Sequence, residues 1–176
     1  MKILVVIDMQ NDFLTGALGN AETASVVDKV VEKMKDFHAA EMDGRIIATL
    51  DTHYENYLST QEGKNLPIPH CIKGTHGWNL ADQIKSSLSE NDVTINKKTF
   101  GAIDLPDVIR KMGEVDEISL IGVCTDICVI SNAMILKAAF PEVPIKVISS
   151  CCAGVTPESH ENALNAMRVC QITIEE

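Results

Sequence analysis

Residues 118–130 read Ile-Ser-Leu-Ile-Gly-Val-Cys-Thr-Asp-Ile-Cys-Val-Ile, a stretch that puts one cysteine where its sulfur could attack a carbonyl carbon. The apolar run 118–121 predicts a buried strand that breaks at Gly122. Thr125 and Asp126 are favoured helix N-cap types, and the apolar periodicity beyond them predicts a helix over 126–139 with Cys128 in its first turn. Unpaired amides and the positive end of the helix dipole favour thiolate there, which predicts a thiol pKa below the free value of about 8.5. The same amides could hold the oxyanion of a tetrahedral intermediate. Taken alone, Cys128 is more simply a small residue closing a strand–helix turn, so the chemistry depends on what other segments bring to it.

Asp8 follows a second apolar run, in Val-Val-Ile-Asp-Met-Gln-Asn-Asp-Phe13. A carboxylate beside a buried strand end is raised in pKa by desolvation or lowered by a cation. Either tuning suits a base that takes a thiol proton and returns it to a leaving amine. Lys97 and Lys98 close another run. Side-chain alternation lets only one of them face inward, where its ammonium would balance both Asp8 and a thiolate. Asp51-Thr-His53 sets a carboxylate and an imidazole on one side of an extended chain, and Glu62 and His70 come later. Two acids and two histidines suit one divalent metal ion (Zn²⁺, Fe²⁺ or Mn²⁺) with waters completing its shell. Cys71 is a softer ligand type beside His70, but is more simply a buried thiol.

These residues need elements that converge. Strands are expected over 2–7, 45–50, 93–95, 117–121, 145–148 and 171–174, and helices over 24–39, 80–88, 105–112, 126–139 and 157–167, with a long polar segment from 51 to 78. Alternation of this kind predicts one α/β domain over 1–176, a three-layer αβα with a doubly wound six-stranded parallel sheet. Ligand groups in such sheets gather where strands end at their carboxyl edge, and Asp8, Asp51, His53, Lys97, Cys124 and Cys128 all stand there. Cys151 and Cys152, after the fifth run, read as packing thiols.

Composition narrows the partners. The 176 residues are 45% hydrophobic and 23% charged, ordinary for a globular domain, and carry a formal charge of −10, which argues against nucleic acid and against an anionic membrane. No segment approaches the roughly 18 apolar residues of a membrane span, and no export-signal pattern is present. The six cysteines lack a paired Cys-x-x-Cys and read as reduced thiols, so a cytoplasmic location is expected.

Together, Val-Val-Ile-Asp8-Met-Gln-Asn-Asp-Phe13, Lys97-Lys-Thr-Phe100-Gly-Ala, Gly122-Val-Cys-Thr-Asp-Ile-Cys128-Val and Thr156-Pro-Glu-Ser-His160 resemble the isochorismatase-like cysteine hydrolases. The resemblance implies a triad of Asp8, Lys97 and Cys128. Lys97 is preferred to Lys98 because the family lysine stands three residues before the aromatic, here Phe100. It also implies a cis peptide at Val123–Cys124 and an oxyanion hole from the amides of Cys124 and Cys128. Within the superfamily, segment 51–76 looks like nicotinamidase (pyrazinamidase). Asp51-Thr-His53 matches the metal pair there, and Pro-His70-Cys-Ile-Lys-Gly-Thr75-His-Gly77 resembles the stretch around the last metal histidine. The third protein ligand varies among nicotinamidases between histidine and glutamate; Glu62 is the best placed acid, with Glu55 in reserve. Isochorismatases proper lack this metal set.

The aromatic that commonly precedes the last metal histidine is replaced here by Leu66-Pro67, which leaves Phe13, Phe100 and Gln10 to line the substrate pocket. With 4% aromatic residues, the pocket is expected to be simple or completed by a second subunit in a homo-oligomer. The expected activity is hydrolysis of a small-molecule amide, nicotinamide, to nicotinate and ammonia. Another small-amide or N-carbamoyl hydrolase is the alternative within the family. A non-catalytic receiver-like module also places acids and a lysine at strand ends, but this chain lacks an acidic pair after the first strand and any glycine-rich phosphate loop.

Overall fold

Alternation along Lys2–Ile7 sends Leu4 and Val6 into one apolar layer and Ile3, Val5 and Ile7 into another. A strand buried on both faces must have helices on both. The computed structural model describes residues 1–176. Strands β1 (Lys2–Ile7), β2 (Arg45–Asp51), β3 (Val93–Lys97), β4 (Glu117–Val123), β5 (Ile145–Ala153) and β6 (Thr173–Glu175) form one parallel sheet of six in the order β3-β2-β1-β4-β5-β6. The helices are α1 (Asn11–Leu14), α2 (Ala21–Ser25), α3 (Val27–Ala40), α4 (Gln61–Asn65), α5 (Asp82–Lys85), α6 (Leu105–Met112), α7 (Ile130–Ala139) and α8 (Pro157–Val169). Val30, Met34 and Phe37 of α3 cover one face. Leu105 and Ile109 of α6, Ala133 and Leu136 of α7, and Leu164 and Met167 of α8 cover the other. Each fully buried aliphatic side chain contributes about 1.5–3 kcal/mol, so the central strands are the fixed frame on which the site is built. No helix is long and apolar enough to cross a membrane.

The expected three-layer, doubly wound sheet is present. From β1 the chain winds outward through β2 and β3, then returns to β4 on the opposite side of β1. The carboxyl ends of β1 and β4 therefore flank the switch point, where a crevice opens. Gly122 lets these two strands close up: its φ is +113°, and a β-carbon there would collide with the Ile7 carbonyl.

Several boundaries differ from expectation. The strands β2 to β5 run further toward the carboxyl edge, because pairing with neighbours carries them past the point where apolar character stops. The helix expected over 80–88 is the single turn α5, which lacks a side-chain cap at its start. The helix expected from 24 breaks at Val26, between α2, capped by Asn20, and α3. Within the polar segment, Thr60 caps the short α4, which carries Glu62.

The largest departure follows β4. Thr125–Val129 is a π turn, and α7 begins only at Ile130. Thr125 and Asp126 do not cap it, since their side chains are used elsewhere. Thr125 Oγ1 lies 2.8 Å from His160 Nδ1, and the Asp126 carboxylate accepts the Val155 N–H. The Cys124 carbonyl accepts from Ile127 and Val129, so the widened turn passes over the Cys128 amide.

Candidate active site

Four parallel strands each deliver one polar group to the crevice. Asp8 stands one residue past β1, Asp51 ends β2, Lys97 ends β3, and Cys128 lies in the π turn after β4. All four are buried. Alternation decides the lysine: Lys97 faces in, while Lys98 is exposed. Asp8 adopts a left-handed backbone, φ +47°, which an aspartate tolerates better than most residues and which turns its carboxylate out of the strand direction.

Lys97 is the hub. Its Nζ lies 2.7 Å from Asp8 Oδ2 and 3.1 Å from Asp51 Oδ1, and it donates to Cys128 Sγ at 3.5 Å and to the Thr99 carbonyl at 3.1 Å. Burial alone would discharge this ammonium, but Asp8, the Cys128 sulfur and Asp51 more than offset it and raise its pKa. Lys97 is therefore a fixed cation. Thr49 donates to Asp8 Oδ1 at 2.6 Å. Asp8 Oδ2 has the ammonium within ion-pair distance but no aligned hydrogen-bond donor. Burial raises the Asp8 pKa, against the opposing charge of Lys97.

The expected low thiol pKa is not found. Burial pushes Cys128 well above the ordinary thiol value, and the neighbouring Asp8 charge adds to it, with Lys97 opposing. The dipole of one distorted turn is outweighed by burial of the sulfur, to which the Asp8 carboxylate adds. Burial and mutual charge thus raise both the Cys128 thiol and the Asp8 carboxyl, with Lys97 opposing both shifts. Burial, then Asp126 and Asp8, likewise push the Cys124 thiol up to about 12, but Lys97 donates to Cys128 Sγ alone of the two sulfurs. The Val123–Cys124 peptide is cis.

Beside this triad stands a second cluster. One ligand atom from each of Asp51, His53, Glu62 and His70 lies within 4.8 Å of the others. His53 Nε2 is 3.0 Å from Asp51 Oδ2 and 3.4 Å from Glu62 Oε1. His70 Nε2 is 3.6 Å from the same two oxygens. The Ile68 carbonyl, 2.9 Å from His70 Nδ1, can only accept, so that nitrogen carries a hydrogen and Nε2 faces the carboxylates. A ring nitrogen facing two carboxylates at 3.6 Å is an arrangement that a cation between them would satisfy. Burial lowers the His53 pKa, but hydrogen bonds to Asp51 and Glu62 win and raise it to about 9. Burial raises Asp51, yet His53, His70 and Lys97 hold it well below the usual carboxylate range. The donor set fits one divalent metal ion. Glu62 stands in it, Glu55 is exposed, and Cys71 is outside it, its thiol pushed far up by burial.

The three residues expected to line a substrate pocket divide. Phe13 packs edge-on against His70, with ring centroids 5.6 Å apart. Phe100 is 44% exposed beside the lysine end of β3. Gln10 is fully buried with its amide committed to backbone. Its Oε1 accepts the Asp51 N–H at 2.7 Å, and Nε2 donates to the carbonyls of Asp51 and Trp78. With no donor left for a ligand, it works as an extra strand edge holding the end of β2 in place.

Sequence reasoning missed three residues. Tyr57 is buried with its ring against both His53 and His70, at 4.7 and 5.0 Å between centroids. Asn132 accepts from the Ala102 N–H and donates to the carbonyls of Phe100 and Cys128. Thr49 is the third; a lone hydroxyl in the apolar run of β2, two residues before Asp51, was its available signal.

Residues 2–176 match the family model described as the isochorismatase domain. The nicotinamidase/pyrazinamidase of Mycobacterium tuberculosis is 26% identical over 99% of this chain and 98% of its own length. The pyrazinamidase of Pyrococcus horikoshii, solved in complex with zinc, is 30% identical, with a TM-score of 0.84 over 99% of this chain and 98% of that one. The N-carbamoylsarcosine amidase of Thermoplasma acidophilum shares the fold, with a TM-score of 0.82 at 24% identity, over 99% of this chain and 95% of that one.

Proposed function

The chain belongs to the isochorismatase family and is a hydrolase of amide bonds, and from that premise we propose that it hydrolyses nicotinamide to nicotinate and ammonia through a cysteine thioester. One observation carries the choice of substrate: the Asp51, His53, Glu62 and His70 cluster shares Asp51 with Lys97, so a cation held there would stand beside the thiol and could act on the same ligand. Asp51, His53, Glu62 and His70 would hold one divalent cation, which supplies a Lewis-acid contact for a ring nitrogen.

Asp8 takes the Cys128 proton as sulfur forms its bond to the carboxamide carbon. The amides of Cys124 and Cys128 hold the oxyanion. Lys97 balances the charges on Asp8, Asp51 and sulfur throughout. Asp8 passes its proton to the departing nitrogen, the C–N bond breaks and ammonia leaves. Water then adds to the thioester, giving a proton to Asp8, which returns it to sulfur as the C–S bond breaks and nicotinate is released. Phe13 supplies an apolar wall beside His70. A cytoplasmic homo-oligomer is part of the same proposal, its oligomeric state checked by analytical ultracentrifugation.

The test is an ammonia-release assay on nicotinamide beside metal analysis of the purified protein. Cys128→Ala is expected to abolish release with metal content unchanged; retained turnover would refute the mechanism. Turnover of N-carbamoyl compounds with none of nicotinamide would move the substrate to the carbamoyl class.

A further inference from the structure

Asp8 Oδ2 is the oxygen next to the Lys97 ammonium, at 2.7 Å, and it is the one carboxylate oxygen of the pair without an aligned donor. Something must hold the carboxylate in that rotation, because its terminal torsion is intrinsically broad. Thr49 does so from the middle of β2. Its Oγ1 accepts the Asp8 N–H at 3.1 Å and donates to Asp8 Oδ1 at 2.6 Å, closing a ring on a single residue. The first bond fastens the left-handed backbone of Asp8, and the second occupies Oδ1. Both residues are fully buried, so no water can substitute. Valine would fill the same space on a buried strand with equal or better strand preference. A hydroxyl at this position therefore has the carboxylate as its reason.

We propose that Thr49 is a positioning residue that selects Oδ2 of Asp8 as the proton acceptor for Cys128, a role that rests on the thiol-amidase reading above. Thr49 touches neither sulfur nor substrate; it acts through Asp8. Its side chain lies on the same face of β2 as Asp51, so one strand sets both the base and the carboxylate on the far side of Lys97.

The experiment compares Thr49→Val and Thr49→Ser in the metal-loaded protein. It measures kcat and KM for ammonia release from nicotinamide, the rate of Cys128 alkylation by iodoacetamide followed by mass spectrometry, and metal content. For Thr49→Val, kcat is expected to fall about 10- to 100-fold with KM within about twofold, the scale of a misplaced catalytic group. Alkylation slows in parallel, metal content holds, and Thr49→Ser restores both rates to within about threefold of the unaltered protein. Unchanged kcat and alkylation in Thr49→Val would overturn the proposal, as would equal damage in Thr49→Ser. If the unaltered protein releases no ammonia from nicotinamide, the substrate assignment fails on its own, and the alkylation rates still decide the role of Thr49.

Discussion

Metal uptake by the metal-free protein should depend steeply on pH, because the cation must displace a proton from His53. The imidazole has a raised pKa of about 9, so it is charged at neutral pH and bonded to Asp51. Binding through Nε2 requires the neutral ring. Well below pH 9 the apparent association constant should rise about tenfold per pH unit, and by about 50-fold between pH 7 and 9, equivalent to about 2.3 kcal/mol. It should level off above pH 9. Asp51, held low, adds no proton of its own. The stability of the metal-free protein runs the opposite way: a raised histidine pKa gives stability that is complete below the unfolded value of about 6.5 and lost as pH rises through about 9. The assay is competition of Zn²⁺ against a chelator of known pH dependence, with calorimetry in two buffers to count protons released at pH 7. A flat affinity from pH 7 to 9, or release of no proton, would refute the electrostatics assigned to the cluster. His53→Gln should remove the slope while weakening binding at every pH.

Lys97→Met would leave Asp8 and Asp51 buried without their shared counter-charge; a loss of about 3–5 kcal/mol in urea unfolding is expected, and a stability equal to the unaltered protein would contradict the hub role. Gln10→Leu strands the Asp51 N–H and two carbonyls, and should cost at least about 1–3 kcal/mol together with a lower Zn²⁺ affinity in the chelator assay. Gly122→Ala forces a β-carbon into the Ile7 carbonyl at positive φ, and should lower the melting temperature by several degrees or prevent accumulation of folded protein, as followed by circular dichroism.

What could be read in the chain was whatever depends on strand ends. Asp8, Asp51, Lys97 and Cys128 each terminate or follow an apolar run, and a parallel sheet gathers such ends at one edge whatever the loops do. Lys97 was separable from Lys98 because alternation on β3 is local. Glu62 was legible only as the best acid in a loop, since its place beside His53 depends on α4 folding back. The role of Gln10 was not legible: its partners on Asp51 and Trp78 are 41 and 68 residues away in sequence. The thiol pKa was misjudged for a related reason. Capping and dipole are visible in neighbouring residues, whereas the burial that raises Cys128, and the Asp8 charge that adds to it, come from segments distant in sequence. The π turn likewise accompanies Thr125 and Asp126 spending their side chains on α8 and the loop after β5, outside the helix they were expected to cap.

Asp51 presents one oxygen to Lys97 and the other to His53. A change at Asp51 therefore reaches both the histidine cluster and the charge balance of Lys97. A lineage that gave up the ion while keeping Asp51 would leave that carboxylate facing two idle imidazoles. One that also replaced Asp51 with a neutral residue would change the charge against which Lys97 is balanced, and so disturb the sulfur at the same step.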